Sequence, residues 1–166
     1  MQMLDQLVSG FNSRVGRVYN TQLVGGAEEP LYLPAEGSAG RHRIYFRENF
    51  LSSALHELAH WCLAGEARRM LVDYGYWYNP DGRNAEQQIA FEQVEVKPQA
   101  LEWIFSLALD HTFHFSADNL NSNSGVSESF KARVQSQRDF WLIEGLPARA
   151  RRVKELCEEV RACSFY

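Results

Sequence analysis

Residues 54–69 read ALHELAHWCLAGEARR, and within them His56-Glu57-Leu58-Ala59-His60 sets two histidines four apart, with a glutamate directly after the first. Four residues on an α-helix make one turn plus a small angular offset. The two imidazoles therefore project side by side and can take adjacent positions around one divalent ion. Glu57 lies about 100° round from His56, at the edge of the same site, where a carboxylate acts as general base in metallopeptidases. The flanks Ala54, Leu55, Ala59, Trp61 and Leu63 are apolar, so the helix reads as buried almost all round. Two histidines and a glutamate in that setting need partners, because burying unpaired polar groups is costly. A divalent cation is the simplest partner.

Two protein ligands are too few, and the next long helix offers a third. Its stretch FEQVEVKPQALEW, residues 91–103, carries Glu92, Glu95 and Glu102. Glu95 stands among Val94, Val96 and Leu101, beside the point where Pro98 interrupts the hydrogen-bond ladder. An unpaired carboxylate would not tolerate that apolar setting, so Glu95 is read as the ligand. Glu92, three residues earlier on the same face, is read as its support or understudy. The bland reading of Glu92 and Glu102 is a solvated helix surface. Cys62, two residues past His60, points away from both histidines and is not read as a ligand.

Two histidines and one carboxylate leave coordination positions for water and substrate, which argues against a closed structural site. The same donors serve zinc-dependent amide hydrolysis and dioxygen activation by ferrous iron. No His-x-Asp pair is present, so the usual ligand order of 2-oxoglutarate oxygenases is excluded. Reasoning from the residues stops at an open divalent-metal enzyme, with a peptidase as the commoner use of this motif. A noncatalytic protein with a structural metal is the third option, and it would need a fourth ligand from His111 or His114.

A chain of 166 residues with 45% hydrophobic and 13% aromatic content fits one domain with a real core. A net charge of −4 supplies no basic field for nucleic acid and leans towards a small-molecule or protein partner. The N-terminus lacks a basic leader followed by an apolar run, and no stretch is long enough to span a bilayer. Three cysteines without a CxxC motif fit a reducing compartment. A cytoplasmic monomer, with neither nucleic-acid nor membrane partner, is the expectation.

The fold is read as α+β, a single helix-rich domain (1–166) with a small sheet. Leu4, Leu7, Val8 and Phe11 mark a helix over 2–12. TQLVGG, LYLP and RHRIYFRE read as strands. The histidine helix is expected to start at a Ser52 or Ser53 cap and end at Gly65, with a second helix following over EARRMLVDYG. Tyr74, Tyr76, Trp77 and Tyr78 then suit a cleft lining, and Asn79-Pro80-Asp81-Gly82 a turn. Asn84 with Gln87 predicts a capping box for a long helix to Leu109, kinked at Pro98. The stretch 111–125 reads as loop, with Asp118-Asn119 capping a turn, and two helices near 127–144 and 148–162 close the chain. Arg68 and Arg69 read as solvated, or as contacts for an acidic partner.

ALHELAHWCLAGEARR, VDYGYWYNPDGR and FEQVEVKPQALEW together closely resemble the elongation factor P hydroxylase family of bacteria, most sharply from Leu55 to Trp103. The resemblance implies a cytoplasmic iron-dependent oxygenase, with Fe(II) as metal and dioxygen as co-substrate. It implies elongation factor P as partner, hydroxylated on the lysine that already carries a β-lysyl group. By matching motif it places the metal ligands on His56, His60 and Glu95. It also implies a peptidase-like metal region rather than the usual oxygenase barrel. Glu57 would then orient a ligand or accept protons instead of activating a hydrolytic water. The same donors would also accept zinc in the isolated protein. The stretch 111–130 and the tail ACSFY carry little of the likeness.

Overall fold

The computed structural model describes residues 2–76, 83–116 and 126–164. Its elements are α1 (Met3–Gly10), a π-helical turn (Phe11–Val15) running on into α2 (Gly16–Val18), then β1 (Thr21–Ala27), β2 (Leu31–Leu33) and β3 (His42–Arg47). Four longer helices follow: α3 (Leu51–Leu63), α4 (Ala85–Leu109), α5 (Glu128–Glu144) and α6 (Ala148–Cys163). Helices dominate and the strands form one small sheet, as the α+β reading expects. No described helix is long and apolar enough to cross a membrane. Trp77, Tyr78, the 79–82 turn and Asp118-Asn119 lie outside the described residues.

The N-terminal stripe does put Leu7 and Phe11 in the core. Helical winding continues to Val18, past the expected end near residue 12, because the π turn keeps both Phe11 and Val15 facing inward. Gly10 lets this helix lie against α6, since a Cβ there would meet Leu156 Cδ1 at 2.6 Å.

In the sheet, β3 is central, with β1 parallel on one side and β2 antiparallel on the other. The register places Leu23, Ile44 and Tyr32 in one row across the three strands, and all three are buried. The helix α3 packs against β3, α4 and α6. Its Ala54, Leu55, Leu58, Ala59, Trp61 and Cys62 are buried, so the sequence pattern around the histidines corresponds to a real core position.

Both ends of α3 depart from expectation. Phe50 is the N-cap residue and supplies no side-chain cap. The Ser53 hydroxyl instead accepts from Arg47 N–H at 2.9 Å, and the Ser52 hydroxyl pairs with His111 Nε2 at 2.8 Å, so the expected caps are engaged elsewhere. The helix stops at Leu63, short of Gly65. Its last carbonyls are met by cations: Arg149 donates to Trp61 O at 2.5 Å and to Ala64 O, and Arg69 donates to Ala64 O at 2.8 Å. Guanidinium groups suit that end because the helix dipole makes it negative.

The helix expected over 66–75 does not form. Two short 3-10 turns, Arg68–Met70 and Val72–Gly75, stand there with Leu71 extended between them. Asp73, Tyr74 and Gly75 all adopt left-handed backbone, at φ 49°, 60° and 77°. That conformation turns Tyr74 into the core and lets the Asp73 carboxylate accept from Tyr32 N–H at 2.9 Å. Tertiary contacts have overridden the local pattern, and Met70, Leu71 and Val72 remain exposed.

The capping box of α4 is made in full: Gln87 N–H donates to the Asn84 side chain at 2.8 Å, and Asn84 N–H to the Gln87 side chain at 2.9 Å. The helix runs through Pro98 without a break to Leu109, where Asp110 closes it in left-handed conformation. The last two helices fall within about one residue of expectation. Because Arg149 ties α6 to the free carbonyls at the end of α3 through two charged bonds, Arg149→Met should lower stability by about 2 kcal/mol in urea titrations at an unchanged slope. The substitution keeps the apolar stem and removes only the guanidinium.

Candidate metal centre

Two facing helices build the site. From α3, one turn of helix brings His56 and His60 together, their Nε2 atoms 3.1 Å apart. From α4, Glu95 reaches between them, with Oε1 3.0 Å from His60 Nε2 and Oε2 3.5 Å from His56 Nε2. These three residues form the one candidate metal-binding group among the described residues. Donors bound to a common cation at about 2.0–2.2 Å stand roughly 3.0–3.5 Å from one another, which is the size of this triangle. The residues present therefore fit a divalent ion. They also supply no fourth donor, as a closed structural site would require: His111 pairs with Ser52, and His114 is exposed.

The acids on α4 are the decisive part of the surroundings. Glu92, Glu95, Gln99, Glu102 and Ser106 are all buried, and their spacing is three, four, three, four. That is the spacing of an inward-facing helical seam, here occupied by polar groups. Each of its three carboxylates has a definite task. Glu95 meets the histidines. Glu102 Oε1 lies 2.6 Å from His56 Nδ1, on the other side of the imidazole from Glu95. Glu92 is not at the histidines at all: it accepts from the Ser127 hydroxyl at 3.2 Å and lies 3.8 Å from Arg133, tying α4 to the start of α5. Sequence reasoning thus gave Glu92 the supporting part that the fold gives to Glu102, and neither residue is a solvated surface carboxylate.

Gln99 was not singled out by the sequence, although the seam spacing marks it. Its carboxamide exchanges two hydrogen bonds with the Ser116 backbone, at 2.6 and 3.1 Å, and reaches Glu95 Oε2 at 3.4 Å. The segment after α4 is thereby pinned beside the candidate ligand.

Aromatic rings hold the other side. His60 lies nearly parallel to Tyr74, centroids 6.5 Å apart at 15°, and Tyr74 stacks on Tyr32 at 4.2 Å. Tyr74 therefore lines the site as expected, buried more deeply than a cleft wall. Tyr76 carries the Arg68 guanidinium over its ring at 4.2 Å. Arg68 also donates to Tyr74 O at 3.0 Å, so both arginines of the 68–69 pair serve local structure. Cys62 is buried away from the trio, and burial pushes its thiol pKa up.

Charge couples the donors. Burial opposes a charge on His56, yet the carboxylates of Glu95, Glu102 and Glu57 outweigh it and hold its pKa well above the usual imidazole range. Burial also opposes ionisation of Glu95, but His60, His56 and the Gln99 amide bring its pKa down to about 2. Glu57 is half-buried on α3, next to the trio and outside it, and burial raises its carboxyl above the ordinary value. It makes no hydrogen bond to any described residue.

A family model described as "Elongation factor P hydroxylase" matches residues 10–163. Among curated relatives, a protein of Haemophilus influenzae named "Elongation factor P lysine hydroxylase" is 49% identical over 152 residues, covering 92% of this chain and 85% of the relative.

The linked titrations fix how the metal-free protein responds to pH. His56 has a raised folded-state pKa, so its contribution is fully present below about 6.5 and is lost as pH rises through the raised value. Glu95 has a depressed one, so its contribution is present above 4.5 and is lost as pH falls towards about 2. Urea midpoints of metal-free wild type and His56→Gln should therefore differ most near pH 6 and converge as the solution is made alkaline. A gap that widens with rising pH would contradict this charge arrangement.

Proposed function

The chain belongs to the elongation factor P hydroxylase family, and from that premise we propose that it is an iron-dependent oxygenase hydroxylating the β-lysyl-modified lysine of elongation factor P. The observation that carries the metal part of this reading is the His56–His60–Glu95 triangle, three donors and no fourth among the described residues. His56, His60 and Glu95 would hold a ferrous ion, which would supply the centre for dioxygen activation.

The chain's own residues set up the rest. The histidine side chains keep 17% and 15% of their surface exposed while Glu95 keeps 3%, so a substrate would reach the site past the histidines rather than past Glu95. A modified lysine is long and cationic, and it enters past Glu57, whose half-buried carboxylate is without a hydrogen-bond partner among the described residues. Glu57 orients that side chain by charge or takes up a proton beside it. Tyr74 packs along His60, and Gln99, clamped to Ser116, holds Glu95, so both keep ligand side chains in place. One carbon–hydrogen bond of the substrate becomes carbon–hydroxyl with one atom of dioxygen, while the other atom leaves as water after taking two electrons and two protons from a two-electron reductant. A cytoplasmic monomer without nucleic-acid or membrane partner completes the proposal. The zinc peptidase alternative finds no support in the family match or in the relative's name.

Mass spectrometry of β-lysylated elongation factor P incubated with the iron-loaded protein should show a gain of one oxygen atom. The gain should vanish under strict anaerobiosis and in Glu95→Ala. Glu57→Gln should keep its metal and retain part of its turnover, whereas a hydrolytic mechanism would lose all of it. Product formed undiminished without dioxygen would end the oxygenase reading.

A further inference from the structure

The two histidines are aimed by different means, and the difference assigns a role to a residue outside the ligand trio. His60 is oriented by packing, its ring lying along Tyr74, and no described residue bonds its Nδ1. His56 is gripped at both nitrogens by one helix. Its Nε2 faces Glu95 at 3.5 Å and its Nδ1 faces Glu102 at 2.6 Å. Glu95 and Glu102 are seven residues apart on α4, two turns on one seam, so α4 engages both nitrogens of that imidazole, while the His60 ring of α3 meets it edge-on at 4.7 Å.

We propose that Glu102 is a positioning residue for the metal centre: it keeps a proton on His56 Nδ1, leaves Nε2 as the donor, and strengthens that donor with its negative charge. Two other readings fail on the geometry. Glu102 is not itself a ligand of the same ion, because it meets the ring nitrogen that points away from Glu95 and His60. Nor is it incidental surface charge, because only 7% of its side chain is exposed. A carboxylate buried that far needs a strong partner, and the 2.6 Å bond to an imidazole N–H is of the charge-assisted kind. Partners of this sort fix the tautomer of a metal-binding histidine and raise its basicity.

The inference rests on the metal reading above, and its test separates the two. Zn(II) and Co(II) affinities would be measured by competition with a chromophoric chelator for wild type, Glu102→Gln, Glu102→Ala and Glu92→Gln. Glu92 is the built-in control, a second buried acid on the same seam that does not touch the histidines. Glu102→Ala should weaken binding roughly 10- to 100-fold. Glu102→Gln, which still accepts from Nδ1–H, should lose less, and Glu92→Gln should match wild type. In nitrogen-15 spectra of the zinc-loaded protein, the exchange-protected His56 Nδ1–H signal should be present in wild type and lost in Glu102→Ala, with His60 unmoved. Circular dichroism confirms that each variant is folded at the temperature used. Equal affinities for wild type and Glu102→Ala, or an equal loss in Glu92→Gln, would overturn the proposal. Wild type that binds neither ion would remove the metal reading itself.

Discussion

Everything at the centre of this protein follows from acids and imidazoles placed where water does not reach freely. Glu95 and Glu102 are withdrawn into the contact between α3 and α4, where Glu95 meets both histidines and Glu102 meets His56 from the other side of its ring. Neither set would be tolerable without the other, since an isolated buried charge costs several kcal/mol even after relaxation, on the order of what a whole domain has in reserve. The helices must therefore dock in one register. The capping box at Asn84–Gln87 starts α4 at a defined residue, and the Glu92–Ser127 contact fixes its far side against α5.

How much of this was legible depended on how local each cause was. His56, His60 and Glu95 are readable because helical spacing and apolar neighbours are properties of short stretches. The long helix and its box are readable for the same reason. Which acid stands behind His56 is not, because that depends on how far α4 has slid along α3, and no short window encodes it. The three-four-three-four spacing from Glu92 to Ser106 is in the sequence all along, and reading it as a seam would have included Gln99 and Glu102. The choice among the seam residues still required the packing.

The misread segment 66–75 has a different cause. Met70, Leu71 and Val72 are consecutive, a pattern that no helix face can bury together, and the left-handed run at Asp73–Tyr74–Gly75 supplies the alternative. Left-handed backbone suits glycine and is tolerable for aspartate, but it is strained for tyrosine. Such strain persists only where surroundings over-determine it. Here the surroundings are Tyr32, which stacks on Tyr74 and donates to Asp73, and Arg68, which holds the Tyr74 carbonyl. The sheet thus reaches the histidines through a ring column, and the three strands serve the site as much as the core.

The seam on α4 has one more implication, for the balance between durability and chemistry. A row of leucines at the same five positions, with apolar side chains also replacing His56 and His60, would bury with far less need for polar partners. Exchanging buried ion pairs for close-packed hydrocarbon is often neutral or favourable to folding. Stability alone therefore does not explain why this seam is polar. Selection for heat resistance alone would tend to erase the reactive interior before it touched the outline of the fold.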